Sequence, residues 1–293
     1  MRKNFLSKTV IILATVIIFV ACKDDPPPGP PPPPPNVNYF GTPNGSWWEY
    51  SNQRIDIDGT VSNLNVFDTL RQIKDTTVAG LNAKTMEHYF NNVLTGNVAT
   101  SRYAMREDGN KVFVSKEFFN LFLPDILVQY LGVLPNEIKL ADGSVAEWNL
   151  TDIPSPDLMD LFDFSELPDN VTVTSITGSF KIAFKRGADA NKNGYKCHSY
   201  GMRVLYDGSA SISYQGSNMP IPFEIVFSEV DFYLSAGVGL IQIEARPLDI
   251  KIVVPIPFPL NLLLGDEFIF PANIGSIPGF KKNLTETNVV PTN

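Results

Sequence analysis

The sequence predicts a mainly β fold: an antiparallel incomplete barrel or sandwich with one or two short helices packed on one side. Apolar residues make up 44% and charged residues 18% of the 293 residues, which is enough to bury a core. Several segments alternate between apolar and polar residues, and Asp-Gly or Asn-Gly pairs separate many of them. This pattern is typical of hairpins with one buried face and one solvated face.

The clearest alternation lies at residues 179–185 and 241–246, where every second residue is apolar. A strand has a period of two, so each of these segments buries one face. Five residue pairs carry the hairpin signal, and they are Asp58-Gly59, Asp108-Gly109, Asp142-Gly143, Asn193-Gly194 and Asp207-Gly208.

A proline pattern at residues 249–261 predicts an edge strand. Pro255, Pro257 and Pro259 share one register, and apolar residues share the other. Proline cannot donate to a ladder, so prolines two residues apart fit an edge whose outward N–H groups are unused. Such an edge is protected against aggregation. An extended loop is the alternative.

An aromatic stripe predicts a helix over residues 118–131, interrupted at Pro124. A second, shorter helix is predicted over residues 156–162, with Ser155 as its N-cap. The apolar stripe is a candidate ligand surface, although the same residues would also serve as core. Its candidate ligand-binding residues are Phe118, Phe119, Phe122, Ile126 and Tyr130.

The N-terminus predicts a lipoprotein signal peptide. A basic start precedes an almost unbroken apolar run from Val10 to Val20, too short to span a membrane as a helix. Ala21-Cys22 ends the run, and a small residue followed by Cys is where a lipoprotein signal peptidase cuts. We therefore expect Cys22 to become the acylated N-terminus, carrying palmitate or similar chains.

Residues 19–22 resemble a bacterial lipobox, with Phe19 where Leu is more usual. Lys23, Asp24 and Asp25 resemble the export signal of surface-exposed lipoproteins in Bacteroidota. The resemblance implies a lipid-anchored protein of the outer membrane that faces the cell exterior.

Nine of the 24 prolines lie between Pro26 and Pro35, and such a run forms an extended spacer. We therefore divide the chain into a signal peptide at 1–21, an acylated Cys and proline-rich linker at 22–38, and one β-rich domain at 39–293. The formal net charge of −8 argues against nucleic acid as the main partner.

The sequence contains none of the common hydrolase, metalloprotease, phosphate-loop or dinucleotide motifs. Cys197 and His198 are adjacent, but neighbours in a strand face opposite sides and cannot form a dyad. We expect Cys197 to be a small buried residue. A glycosidase would need only two well-placed carboxylates, and nothing in the sequence singles out such a pair.

Asp189, Asn191 and Asn193 match the first half of a calcium-binding loop, with Gly194 at the sharp turn. The twelfth position is Tyr200 instead of Glu, so other acids would have to complete the shell. A polar hairpin loop is the alternative. No other cofactor is expected.

Trp47 and Trp48 lie next to each other, so one of them is a candidate platform for a sugar ring. The more ordinary alternative is that one packs in the core and the other covers a sheet edge.

Residues 45–50, 75–80 and 237–241 resemble a group of uncharacterised Bacteroidota lipoproteins. The arrangement of strands with an apolar helix is also similar to the open β-barrels of bacterial lipoprotein and lipid carriers. The leading hypothesis is a non-enzymatic surface lipoprotein that binds an apolar or amphipathic ligand. A glycan-binding or adhesion module is the alternative, and a carboxylate-based glycosidase is the third.

Overall fold

Antiparallel strands make up most of the described chain, because alternating residues let each strand bury one face. The computed structural model describes residues 38–92, 96–121, 134–154, 158–165, 167, 170–255, 261, 265 and 267–290, all within the unit Pro35–Asn293. The strands, in chain order, are β1 (Trp47–Ile55), β2 (Val61–Val78), β3 (Leu81–Asn92), β4 (Gly96–Asp108), β5 (Lys111–Ser115), β6 (Glu137–Asp142), β7 (Glu147–Pro154), β8 (Val171–Arg186), β9 (Ala190–Lys192), β10 (Tyr195–Tyr214), β11 (Ser217–Ser235), β12 (Gly239–Ala245), β13 (Leu248–Pro255), β14 (Glu267–Ile277) and β15 (Gly279–Thr287).

One antiparallel sheet holds most of these strands, in the order β6-β5-β4-β3-β2-β1-β15-β12-β11-β10-β8-β7. The short strand β9 pairs with β10, and β13 and β14 form a separate two-stranded ribbon. The last strand of the chain therefore fits between β1 and β12. The predicted mainly β, antiparallel fold is confirmed.

The two ends of the sheet, β6 and β7, follow each other in the chain. Within the described residues β6 pairs only with β5 and β7 only with β8, so backbone pairing does not close the sheet into a barrel. A side chain bridges the two ends, because Trp148 Nε1 donates to the Lys139 carbonyl oxygen at 2.9 Å. The Trp148 ring also stacks on Phe184 with ring centroids 5.4 Å apart.

The apolar faces of both halves of the sheet meet in one core. Phe118 shows this directly, since its ring lies 5.1 Å from Tyr103 in β4 and 5.9 Å from Phe232 in β11. Strands β4 and β11 are far apart in the sheet order, so the sheet curls around this core.

The predicted alternation is confirmed in β8, but in β12 the polar residue Gln242 is buried as well, so only Glu244 departs from a buried strand. Phe180, Ile182 and Phe184 are buried, and so are the apolar residues of 241–245. The Asn193-Gly194 turn is also confirmed, with both residues at positive φ (50° and 83°), as a tight hairpin requires.

The prediction of a hairpin at Asp207-Gly208 is wrong, because both residues lie inside β10. Neither Gly178 nor Gly208, which pair across β8 and β10, is among the glycines with positive φ. A Cβ at Gly208 would lie 2.8 Å from Phe223, and a Cβ at Gly178 would lie 2.8 Å from Tyr206. The glycines are therefore needed for close packing of rings over the strands. The hairpin turn lies further on, at residues 215–216, with φ of 49° and 78°.

The hairpin prediction at Asp142-Gly143 is wrong in a different way. A turn does occur there, but the flanking strands β6 and β7 do not pair with each other. Local turn chemistry was sufficient to predict the chain reversal, whereas the pairing depends on the rest of the sheet.

The two predicted helices are described only in part. Lys116–Leu121 is a 3-10 helix that buries Phe118 and Phe119, and Met159–Leu161 is a shorter one. The prediction of a helix over the whole of residues 156–162 is wrong, because Leu158 is only the N-cap of the 3-10 helix and Phe162 is extended. Residues 122–131 and 156–157 of the predicted helices, and the predicted N-cap Ser155, lie outside the described residues.

The predicted edge strand is described as far as Pro255, as β13. Its only described partner is β14, with Ile250 buried and Val253 exposed. Residues 256–260 of the proline pattern lie outside the described residues. Cys197 is a free, buried thiol, as predicted.

We predict that Gly178→Ala destabilises the protein by about 1–3 kcal/mol, because the added methyl group overpacks the contact with Tyr206 and β10. Urea denaturation followed by tryptophan fluorescence measures the change. Gly201→Ala in β10 is the matched control, since its Cβ would meet the end of the Asp231 side chain at 3.1 Å and the Lys185 carbonyl oxygen at an ordinary contact distance of 3.9 Å. Equal stability of Gly178→Ala and the wild type would contradict the packing role of the glycine.

Candidate ligand-binding pocket

A pocket of about 440 Å³ lies between the N-terminal segment 38–46 and strands β2, β3 and β4. Phe40, Ala83 and Met105 contribute apolar surface to it. Polar and charged residues complete the lining, and they are Asp75, Thr76, Asn82, Lys84, Arg106 and Glu107. The pocket therefore combines an apolar floor with a charged rim.

Strand register brings these residues together. Asp75 pairs with Lys84 across β2 and β3, and Lys84 pairs with Met105 across β3 and β4. The Lys84 ammonium contacts the Asp75 carboxylate at 2.6 Å. Met105 and Glu107 are two residues apart in β4, so they share a face.

The N-terminal segment is held at the pocket by Glu107. The backbone N–H of Phe40 donates to Glu107 Oε2 at 3.1 Å, and the N–H of Tyr39 donates to Oε1. On the other side of the segment, the Tyr39 and Tyr200 hydroxyls are 3.1 Å apart. One carboxylate in β4 thus holds the N-terminal segment against the sheet.

Phe40 is fixed by a glycine and a tryptophan. Its ring lies 6.2 Å from the Trp48 ring, edge to face. A Cβ at Gly239 would lie 2.5 Å from the Phe40 ring, and the positive φ of Gly239 (98°) also favours glycine there. Trp48 is itself held by a hydrogen bond from Nε1 to the Val238 carbonyl oxygen at 2.6 Å.

The carboxyl group of Glu107 is poorly solvated. Burial raises its pKa to about 7, although the N–H groups of Tyr39 and Phe40 partly offset this effect. The neighbouring Asp75 behaves differently, since the hydrogen bond and charge of Lys84 lower the pKa of its exposed carboxyl.

Deeper in the curled sheet, Asp68 is almost fully buried, at 1% exposure. Lys282 in β15 and His88 in β3 both contact its Oδ2, the latter through Nε2 at 3.0 Å. Burial alone would raise the pKa of Asp68, but the hydrogen bonds and charges of His88 and Lys282 outweigh it, so the pKa lies below its usual value. Asp68 Oδ1 has no hydrogen-bond partner among the described residues.

A cavity of about 20 Å³ adjoins this ionic cluster, lined also by Tyr50, Tyr103 and Leu121. A single water molecule needs about 10–15 Å³ of such space. The cavity therefore suits one water beside Asp68 and has no room for a larger ligand within the described residues.

The predicted aromatic ligand surface is described only at Phe118 and Phe119, which are both fully buried in the core. Phe122, Ile126 and Tyr130 lie outside the described residues.

The predicted calcium loop forms the hairpin between β9 and β10. Asp189 Oδ1 lies 2.9 Å from His198 Nδ1, and the Asn193 amide donates to the Leu284 carbonyl oxygen at 3.2 Å. Asn191 is exposed in β9. Within the described residues no group of three or more His, Cys, Asp or Glu side chains could hold a metal ion.

The two adjacent tryptophans, Trp47 and Trp48, differ in how far they are buried. Trp48 is fully buried, whereas Trp47 is half-buried.

The predicted lipid anchor Cys22 and the predicted export signal, Lys23, Asp24 and Asp25, lie outside the described residues. Among the residues that the structure does describe, none forms a helix long and apolar enough to cross a membrane.

Neither the pocket nor the ionic cluster of Asp68, His88 and Lys282 is predicted from the sequence. The sequence does carry one signal of the cluster. Asp68 and Gln72 lie on the same strand face as Leu70, and His88 lies on the same face as Met86, so polar side chains occur on buried apolar faces. The contact of Lys282 with Asp68 had no such signal, because it depends on β15 lying next to β1.

No protein-family model matches the chain, and no curated protein matches it. A crystal structure provisionally described as a lipoprotein from Parabacteroides distasonis ATCC 8503 matches 86% of this chain and 99% of its own, with 9% identity and a TM-score of 0.34. A second, provisionally described as an exported protein with a YmcC-like fold from Bacteroides fragilis NCTC 9343, has the same coverage and identity and a TM-score of 0.33. At these scores neither structure supports a statement about this chain.

We predict that Glu107 makes the protein less stable as the pH rises from 5 to 8. The raised pKa means that the folded state binds a proton that the unfolded state has already lost, so stability is greatest at the acidic end. The loss is about 2–3 kcal/mol, measured by urea denaturation at both pH values.

Glu107→Gln should remove this part of the pH dependence, because the amide is neutral throughout. Glu286→Gln is the control, since Glu286 is exposed on β15. The same pH dependence in the wild type and in Glu107→Gln would disprove the assignment.

We also predict that Lys282→Met costs about 3–5 kcal/mol, because it leaves the buried Asp68 carboxylate without its cation. The double variant Asp68→Leu/Lys282→Met should recover most of that loss. Thermal and urea denaturation of the single and double variants provide the comparison. A double variant less stable than Lys282→Met would show that the pair is not what stabilises this site.

Proposed function

We propose that this protein is a non-enzymatic lipoprotein of the cell envelope that binds a small amphipathic ligand in the pocket between segment 38–46 and strands β2–β4. The observation that carries the proposal is the pocket of about 440 Å³ with an apolar floor and a charged rim. Ligand pockets in proteins have volumes of about 300–1,000 Å³, with a few polar groups that orient the ligand.

The two kinds of surface have separate roles in this proposal. Phe40, Ala83 and Met105 would contact the apolar part of the ligand. Lys84, which is held by its ion pair with Asp75, and the poorly solvated Glu107, which is held by backbone hydrogen bonds, would orient its polar head.

The pocket favours binding over catalysis. Its two carboxylates already have partners: Asp75 contacts Lys84, and Glu107 accepts hydrogen bonds from backbone N–H groups. Neither is placed as an unengaged acid or base.

The aromatic residues at 118 and 119 do not take part in this proposal. Their burial assigns them to the core, and the cavity next to the ionic cluster holds about 20 Å³. We therefore place the ligand site between segment 38–46 and strands β2–β4, and not at the predicted aromatic stripe.

The cellular place of the protein is proposed from the sequence. The lipobox-like residues that end at Cys22, followed by Lys23, Asp24 and Asp25, support an acylated protein on the outer face of the outer membrane.

Native mass spectrometry of the full chain, released from detergent micelles, tests the binding. Dodecanoic acid and dodecylamine serve as probes, because they share an apolar chain and differ in the charge of the head. We expect at least one of them to give a one-to-one adduct.

Ala83→Phe should lower the bound fraction at least tenfold, since the ring fills the pocket. Ala188→Phe is the matched control, because Ala188 is exposed in the loop before β9 and should leave binding within twofold. Circular dichroism confirms that each variant is folded. Absence of any adduct, or equal binding by folded Ala83→Phe, would refute the pocket as the site.

A further inference from the structure

A second depression, of about 370 Å³, lies on the solvent face of the sheet, where β7, β8, β10 and β11 run side by side. Phe184 and Met202 in these strands point into the core, so their neighbours Ala183 and Gly201 face outward. Ala183 and Gly201 have almost no side chain, and the Asp231 carboxylate lies beside Gly201, with Oδ1 3.1 Å from where a Cβ would be.

The strand register defines two rows across the depression, which we call the outer groove. The first row consists of Glu147, Lys185, Gly201 and Asp231, and the second consists of Asn149, Ala183, Arg203 and Glu229. Each row thus has one bare position between polar side chains. The groove is built by the pairing of four strands, so its walls are fixed by the sheet.

The charges that line the outer groove balance. Its acids are Glu147, Glu229 and Asp231, and its bases are Lys185, Arg203 and Arg246. A balanced lining does not attract an anion or a cation over a long range. It does offer a high density of hydrogen-bond donors and acceptors.

These side chains remain available to a ligand. Arg246 contacts Glu229 at 3.2 Å and Asp231 at 3.8 Å, and Lys185 contacts Glu147 at 3.6 Å, and each of these side chains is at least 26% exposed. Arg203 is exposed and has no ion pair among the described residues.

We propose that the outer groove binds a neutral saccharide. Carboxylate and guanidinium groups can each make two hydrogen bonds, and this geometry suits the neighbouring hydroxyls of a sugar ring. Hydrogen bonds to charged groups contribute more than those between neutral groups. Because Ala183 and Gly201 have almost no side chain, a ring can lie beside Arg203 and the Asp231 carboxylate. Asp231 is half-buried, which strengthens its bonds by excluding water.

The outer groove is independent of the pocket proposed above. The pocket lies between the N-terminal segment and β2–β4, whereas the groove lies on β7, β8, β10 and β11. Failure of one site leaves the other unaffected.

Isothermal titration calorimetry of the full chain in detergent tests the inference. The probes are maltohexaose, cellohexaose, mannohexaose and laminarihexaose, with trigalacturonic acid and trilysine as the charged comparison. We expect at least one neutral hexasaccharide to bind, with an affinity that changes less than twofold between 50 and 500 mM salt.

Arg203→Ala and Asp231→Asn should each weaken that binding at least tenfold, and Gly201→Val should do the same by filling the floor. Arg71→Ala is the matched control, since it removes an exposed arginine from β2 and should change the affinity less than twofold. The inference is overturned if no neutral hexasaccharide binds, or if only a charged probe binds. It is also overturned if the groove variants bind as the wild type does.

Discussion

The architecture depends on one constraint: a single antiparallel sheet has to bury its own apolar face. It does so by curling, so that rings from β4, β11 and the 3-10 helix at Lys116–Leu121 meet in one core. Backbone pairing does not complete the curl within the described residues, and Trp148 bridges the two end strands through its indole N–H. The N-terminal segment also packs against the curled sheet, through the contact between the Tyr39 and Tyr200 hydroxyls. The ionic cluster of Asp68, His88 and Lys282 lies inside the curl.

Local patterns in the sequence are sufficient to predict the strands, but not to predict which strands lie side by side in the sheet. The alternation at 179–185 and the Asn193-Gly194 turn depend on residues close in the chain, and the structure has both. Gly208 was misassigned because a glycine in a turn and a glycine under an aromatic ring look alike in one sequence. The candidate pocket combines three strands with the segment around Phe40, so no short window of sequence contains it.

The two faces of the sheet offer two different chemistries. On the inner side, poorly solvated groups such as Glu107 and Asp68 lie among apolar residues, so each charge needs a defined partner. On the outer side, the acids and bases around Gly201 are partly exposed, so their ion pairs contribute little to stability. Neighbouring residues of one strand therefore have different surroundings: Met202 is buried in the core, whereas Arg203 lines the outer groove.

The position of β15 between β1 and β12 has a consequence for how the chain acquires its structure. Strand β1 is near the start of the folded unit, yet one of its two edges is completed only by residues 279–287. Contacts that join such distant parts of a chain are slow to form, because the loop entropy is lost before the pairing is gained. During synthesis, the first half of the sheet would wait with an open edge until the last strand leaves the ribosome.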